Sequence, residues 1–138
     1  MIDRQLVIKK LADISAFADE LERILGFSDQ EIGADFLKQR AAERLLQLIV
    51  DSMVDINLHL IRAEKLAIPD DFQSSFQLLA KQGAFPAGFA KKVAPVVGLR
   101  NRIVHRYASV DMGQFLRELR KDRSDFWEYL RLVKKHIG

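Results

Sequence analysis

Between Leu46 and Ile61, apolar residues recur at steps of three and four so densely that the helix they form must be enclosed. Ile49, Met53, Ile56 and Leu60 make one stripe, and Leu46, Val50, Val54, Leu58 and Ile61 widen it. A helix on the surface of a domain needs only a partial apolar face. One this wide belongs at the centre of a bundle or at a contact between copies of the chain. Ser28 with Glu31 three residues on fits a capping box, so the spacing predicts a long helix over residues 28–67, bent near Gly33 and stopped by Pro69.

Other helices are legible around it. Val7, Leu11, Ile14, Ala18, Leu21 and Leu25 alternate steps of four and three, which predicts a first helix over residues 3–25 that ends at Gly26. Asp70 or Asp71 can start a short helix over 72–82, with Gly83 as its stop. Pro86 can open another, over 86–107, kinked at Pro95. Asp111 suits the start of a short helix to residue 121, and Ser124 suits the cap of a last one over 125–137. Trp127 and Tyr129 read as packing residues there, and His136 as solvated. No segment alternates strictly enough for a strand. The expected fold is all-α, one domain over residues 1–138, with two long antiparallel helices and shorter ones beside them. The scarcity of Gly (7) and Pro (3) agrees.

Composition removes several chemistries. With no Cys, the chain has no disulfide, iron–sulfur cluster, Cys-based zinc site or thiol nucleophile. No run of about 18 apolar residues is present to span a membrane, and Met1-Ile2-Asp3-Arg4 opens no apolar leader. The expectation is a cytoplasmic protein without a membrane segment, metal or cofactor. Charge is informative by its placement. Residues 1–69 carry 9 Lys/Arg against 12 Asp/Glu, and residues 70–138 carry 13 against 7. Residues 72–110 contain Lys81, Lys91, Lys92, Arg100, Arg102 and Arg106 and no acid. That asymmetry suits an anionic partner as well as an ordinary solvated face.

The segment with most chemical content is Val97-Gly98-Leu99-Arg100-Asn101-Arg102-Ile103-Val104-His105-Arg106-Tyr107. Arg presents a planar fork that matches phosphate. His exchanges protons near neutral pH. Together they could cleave RNA: His taking the proton of a 2′-hydroxyl or giving one to the leaving 5′-oxygen, Arg stabilising the pentacoordinate phosphorus. Five residues on a regular helix put Arg100 and His105 about 140° apart, whereas Asn101 and His105 share a face. Arg100 must reach round, the helix must end near His105, or two chains must combine. The same residues also fit a plain helix end with solvated arginines. On the long helix, Asp51, Asp55 and His59 fall every four residues in one polar stripe, where Asp55 and His59 could hydrogen-bond. That stripe reads either as a second catalytic or partner-facing surface or as a polar outer face; two carboxylates and one His on a single helix seldom close a metal's coordination sphere.

Leu99-Arg100-Asn101-Arg102-Ile103-Val104-His105-Arg106-Tyr107 resembles the signature of HEPN-domain toxins of the HepT type: Arg, a polar residue, three positions, His, any residue, Tyr. The resemblance extends to Arg40-Ala41-Ala42-Glu43-Arg44 and to Asp55-Ile56-Asn57-Leu58-His59, and covers nearly the whole chain. It implies a HEPN-like helical bundle and a homodimeric, metal-independent endoribonuclease of a toxin–antitoxin pair, its Arg and His motifs meeting at the dimer cleft. It implies Arg100 and His105 as catalytic and Asn101 as supporting. Arg102, Arg106, Lys91 and Lys92 would be RNA-binding, and Asp51, Asp55 and His59 possible supports. The implied partner is a minimal nucleotidyltransferase antitoxin that transfers AMP to Tyr107. Two departures stand out: Leu58, not Asn, precedes His59, and Arg106, not an acid, separates His105 from Tyr107. The alternative is a non-catalytic HEPN-like module that binds a nucleotide or a partner protein, or a purely structural bundle that dimerises through the apolar helix.

Overall fold

The structure, a computed structural model, describes residues 1–105 and 111–138. Among the described residues seven helices follow one another, α1 (Arg4–Leu25), α2 (Asp29–Gly33), α3 (Phe36–Ala63), α4 (Ser74–Lys81), α5 (Ala87–Val93), α6 (Val96–Val104) and α7 (Met112–Ile137), and there is no strand. The all-α expectation is met. Three helices are long, however, where the sequence suggested two.

α1 buries the six residues its periodicity singled out, and the Asp3 side chain caps it by accepting from the Leu6 N–H. α3 is the enclosed helix. Ile49, Met53, Ile56, Leu60 and Ile61 are at most 1% exposed. α1 runs antiparallel to it, because Asp3 lies at His59 while Lys10 lies at Asp55. α7 runs alongside in the same direction as α3, with Tyr129 at Met53 and Asn57 and His136 at Glu64.

Several boundaries differ from the sequence reading, α3 for one ending at Ala63, short of the predicted residue 67. The capping box at Ser28 and Glu31 forms with both of its arms, but it starts only the five-residue α2. Asp35 then turns extended and caps α3 by accepting from the Leu37 and Lys38 N–H groups. Gln39 closes the gap by donating to the Gly33 carbonyl and to the Ile32 carbonyl, which also accepts from the Asp35 N–H. At Pro95 the helix breaks into α5 and α6 instead of kinking, since proline offers no N–H to the turn before it. Ser124 caps nothing. It lies on the exposed face of a continuous α7, whose buried Phe115, Leu119, Phe126, Tyr129 and Val133 carry one apolar stripe past it.

A buried polar chain ties α7, α3 and α4 together. The Tyr129 hydroxyl donates to Asn57 Oδ1 at 2.7 Å, Asn57 Nδ2 donates to Ser75 Oγ at 2.9 Å, and Ser75 Oγ donates to the Phe72 carbonyl at 2.6 Å. All three residues are fully buried, and burial pushes the Tyr129 hydroxyl pKa far up, so it stays a neutral donor. Trp127, by contrast, is 36% exposed and is not a core residue. His136 is half-buried with Nε2 3.2 Å from Glu64, not solvated, because α7 ends against the end of α3.

Candidate functional site

α6 is anchored by Val96, Val97 and Leu99, which face the core, so its polar residues are left at the rim. Arg100 turns toward α3. Its Nε donates to Asp51 Oδ1 at 2.8 Å, its Nη2 to Asp51 Oδ2 at 3.4 Å, and its Nη1 to Asn101 Oδ1 at 3.3 Å. This fork-on-carboxylate arrangement fixes the plane of the guanidinium. His105 is the residue at which α6 ends, its N–H donating to the Asn101 carbonyl at 2.9 Å, with an exposed side chain. The helix therefore stops at Val104, short of the predicted residue 107, and so takes the option of ending near His105.

Within one chain the two residues border different grooves. Arg100 lines one with Asp51, Val54 and Phe72. His105 lines another with Arg102, Gln114 and Glu118. Asn101 borders both. The angular separation on the helix thus persists in the fold, and Asn101 sits on the ridge between the two halves.

The stripe on α3 is divided among three partners. Asp51 takes Arg100, Asp55 takes Lys10 at 2.9 Å, and His59 Nε2 accepts from the Asp3 N–H at 2.9 Å. The Asp55–His59 bond that spacing allowed is not made, because α1 packs over that turn and supplies better-placed partners. The acceptor role of Nε2 holds the His59 ring as its Nδ1–H tautomer. Among the described residues no group of three His, Asp or Glu could hold a metal ion.

The acid-free segment does not remain uncompensated. Lys92 Nζ lies 3.1 Å from Asp125 of α7, a carboxylate only 4% exposed. Arg102 Nη2 donates to both oxygens of Glu118, at 2.9 and 3.1 Å. Lys91 is exposed on α5 and joins no ion pair among the described residues. Arg106 and Tyr107 lie outside the described residues. The sequence reading missed Glu118 and Phe72, whose roles depend on packing between distant helices. Asp122, also missed, has its carboxyl pushed up to about 6 by burial and by the neighbouring Asp125 and Glu118.

Comparison with known proteins bears on this arrangement. Residues 14–133 match the model of the family described as ribonuclease HepT-like. The chain is 29% identical to a tRNA nuclease HepT of Aphanizomenon flos-aquae, over 99% of this chain and 92% of that one. It is 26% identical to an mRNA nuclease HepT of Shewanella oneidensis, over 94% and 96%. The fold superposes with a TM-score of 0.86 and 26% identity on the solved structure of a tri-AMPylated Shewanella oneidensis HEPN toxin in complex with MNT antitoxin, covering 98% of this chain and 99% of that one.

Proposed function

The chain belongs to the ribonuclease HepT-like family, and from that premise we propose that Arg100 and His105 cleave RNA at a cleft built by two copies of the chain. Endoribonuclease action as the toxin of a toxin–antitoxin pair follows from the family and from the nuclease relatives. The observation that carries the shared cleft is the separation of Arg100 and His105 into two grooves of one chain. A second copy supplies the missing half to each.

In this scheme His105 takes the proton of the 2′-hydroxyl as that oxygen attacks phosphorus. The bond to the 5′-oxygen breaks, the partner copy's equivalent His protonates the leaving oxygen, and a cyclic phosphate remains. Arg100, held in plane by Asp51, stabilises the charge that builds on the phosphoryl oxygens. Asn101 supports from the ridge. Lys91, Lys92, Arg102 and Arg106 contribute positive potential, with Lys92 and Arg102 also committed to α7. No metal enters the scheme, and RNA places the work in the cytoplasm.

The partner is a minimal nucleotidyltransferase antitoxin. Neutralisation proceeds by attack of the Tyr107 hydroxyl on the α-phosphate of ATP, with pyrophosphate leaving. The AMP adds bulk and negative charge two residues from His105 and so repels RNA. The experiment that tests the nuclease mechanism expresses wild type beside His105→Ala without antitoxin. Growth arrest and RNA loss in the wild type only are expected. Binding of RNA without cleavage, unchanged by the substitution, would favour the non-catalytic module. For the modification, incubation with antitoxin and ATP should add the mass of AMP to the wild type and none to Tyr107→Phe. A monomer at all concentrations in sedimentation would rule out the shared cleft.

A further inference from the structure

Helix α7 sorts its charges by side, in a way its sequence does not display. Glu118, Asp122 and Asp125 face inward or sideways, while Glu128 stands on the outer face, where Arg131 neutralises it. Glu118 pairs with Arg102, Asp125 pairs with Lys92, and Asp122 is partly buried between them. From Arg117 onward the exposed positions within the helix are Arg117, Lys121, Ser124, Trp127, Arg131, Lys134 and Lys135, and Glu128, half-buried, is the one acid beside them. The steps of three and four put these on one face, about 27 Å long at 1.5 Å per residue. Among the described residues Arg117, Lys121, Lys134 and Lys135 enter no ion pair, and Arg131 pairs only with Glu128 on its own helix. Trp127, the single Trp of the chain, sits at mid-stripe and more than a third exposed.

Folding leaves a tryptophan within a row of cations at the surface, although an indole ring gains by burial. A cation row that tracks phosphates, with an aromatic on which a base can stack, is how proteins hold single-stranded nucleic acid without reading its sequence. The stripe is also continuous with the candidate site. Gln114 and Glu118 line the His105 groove, and Arg117 and Lys121 follow on the next turn.

We propose that the outer face of α7 is an RNA-binding surface, separate from the Arg100 and His105 residues, that holds the single-stranded part of the substrate by its phosphates and by stacking on Trp127. This rests on RNA being the substrate, and its test does not depend on cleavage. The unique Trp gives a direct readout. Titrating the His105→Ala protein with a 30-nucleotide single-stranded RNA should quench its fluorescence. By filter binding of labelled RNA, since these variants lack the fluorophore, Trp127→Phe should keep affinity within about threefold, and Trp127→Ala should lose about tenfold, as expected for one stacked base. The combined Lys121→Gln, Arg131→Gln, Lys134→Gln protein should bind at least tenfold more weakly. Its salt slope should be shallower by about 2, close to 0.7 for each phosphate no longer neutralised. Arg23→Gln with Arg62→Gln, on α1 and α3, should change neither. No quenching at saturating RNA, or an unchanged salt slope in the triple variant, overturns the proposal. So does a triple variant that keeps its RNA affinity and loses only the antitoxin, which would make the stripe a protein-docking face. If wild type and His105→Ala cleave alike, the catalytic reading fails while the quenching result stands on its own.

Discussion

Arg100 and Asp51 are joined by two hydrogen bonds across 49 positions of sequence, at 2.8 and 3.4 Å. The guanidinium assigned to phosphate is therefore not a free surface cation. It is oriented by α3, leaving Nη1 and the open side of the fork toward Asn101 and the groove. In the proposed site Asp51 would act through Arg100, as a positioning residue. Asp51→Asn is expected to lower kcat about tenfold, the scale of one charge-assisted hydrogen bond, with KM little changed or lower because a competitor for the cation is gone. Asp51→Glu should recover part of the loss. Single-turnover RNA cleavage measures this, and an unaltered kcat in Asp51→Asn would remove Asp51 from the site.

Lys91 and Lys92 are adjacent in sequence and differ in what they hold. Lys92 neutralises the buried Asp125, whereas Lys91 faces solvent. Lys92→Gln should destabilise the fold by about 1–2 kcal/mol, because a buried carboxylate loses its charged partner. Lys91→Gln should leave stability within about 0.5 kcal/mol. Denaturant titration of both variants decides it, and equal stabilities would mean the Lys92–Asp125 pair contributes nothing.

Asp122 makes stability depend on pH in a definite direction. Its carboxyl is raised from an ordinary 3.8 to about 6, first by burial and then by Asp125 and Glu118. The folded chain thus keeps a proton that the unfolded chain releases between those values. Its contribution is most favourable at low pH and is lost as pH rises through that window. Asp122→Asn should stabilise the protein at pH 7.5 by about 1 kcal/mol, a figure reduced for the side chain's partial exposure. The gain should vanish near pH 4. Melting curves at the two pH values test the sign, and a stabilisation that grows on acidification would refute it.

The Tyr129 hydroxyl ties α7 to α3 and, through Asn57 and Ser75, to α4. Tyr129→Phe keeps the ring against Phe76 and Phe85 but leaves Asn57 Oδ1 buried without its donor. A loss of about 1–3 kcal/mol is expected. Because Asn57 also holds Ser75, and Ser75 the Phe72 carbonyl at the edge of the Arg100 groove, amide exchange of the turn at residues 72–75 should quicken in the variant. Unchanged exchange there would show that the chain of bonds does not reach the groove.

Much of this protein is local and was therefore legible from the sequence. Helical periodicity identified the core face of α1 residue by residue and most of that of α3, where Leu58 is only half-buried and Ala42, Leu45 and Asn57 were not singled out, and the capping box at Ser28 and Glu31 formed with both arms. The 3.6-residue repeat alone showed that Arg100 and His105 diverge, and the structure keeps them in separate grooves. Where several local signals competed, the sequence misled. Ser124 and Asp111 are both good cap residues, but only Asp111 caps, since burying Phe126 and Tyr129 in register with Phe115 and Leu119 keeps α7 whole. Tertiary structure alone decided the partners of Asp51, Asp55 and His59, and the side of α7 on which each charge lies. The reason is physical. Periodicity depends on residues a turn apart, while ion pairs and exposure depend on which distant helix lies against each face, and that is settled by packing.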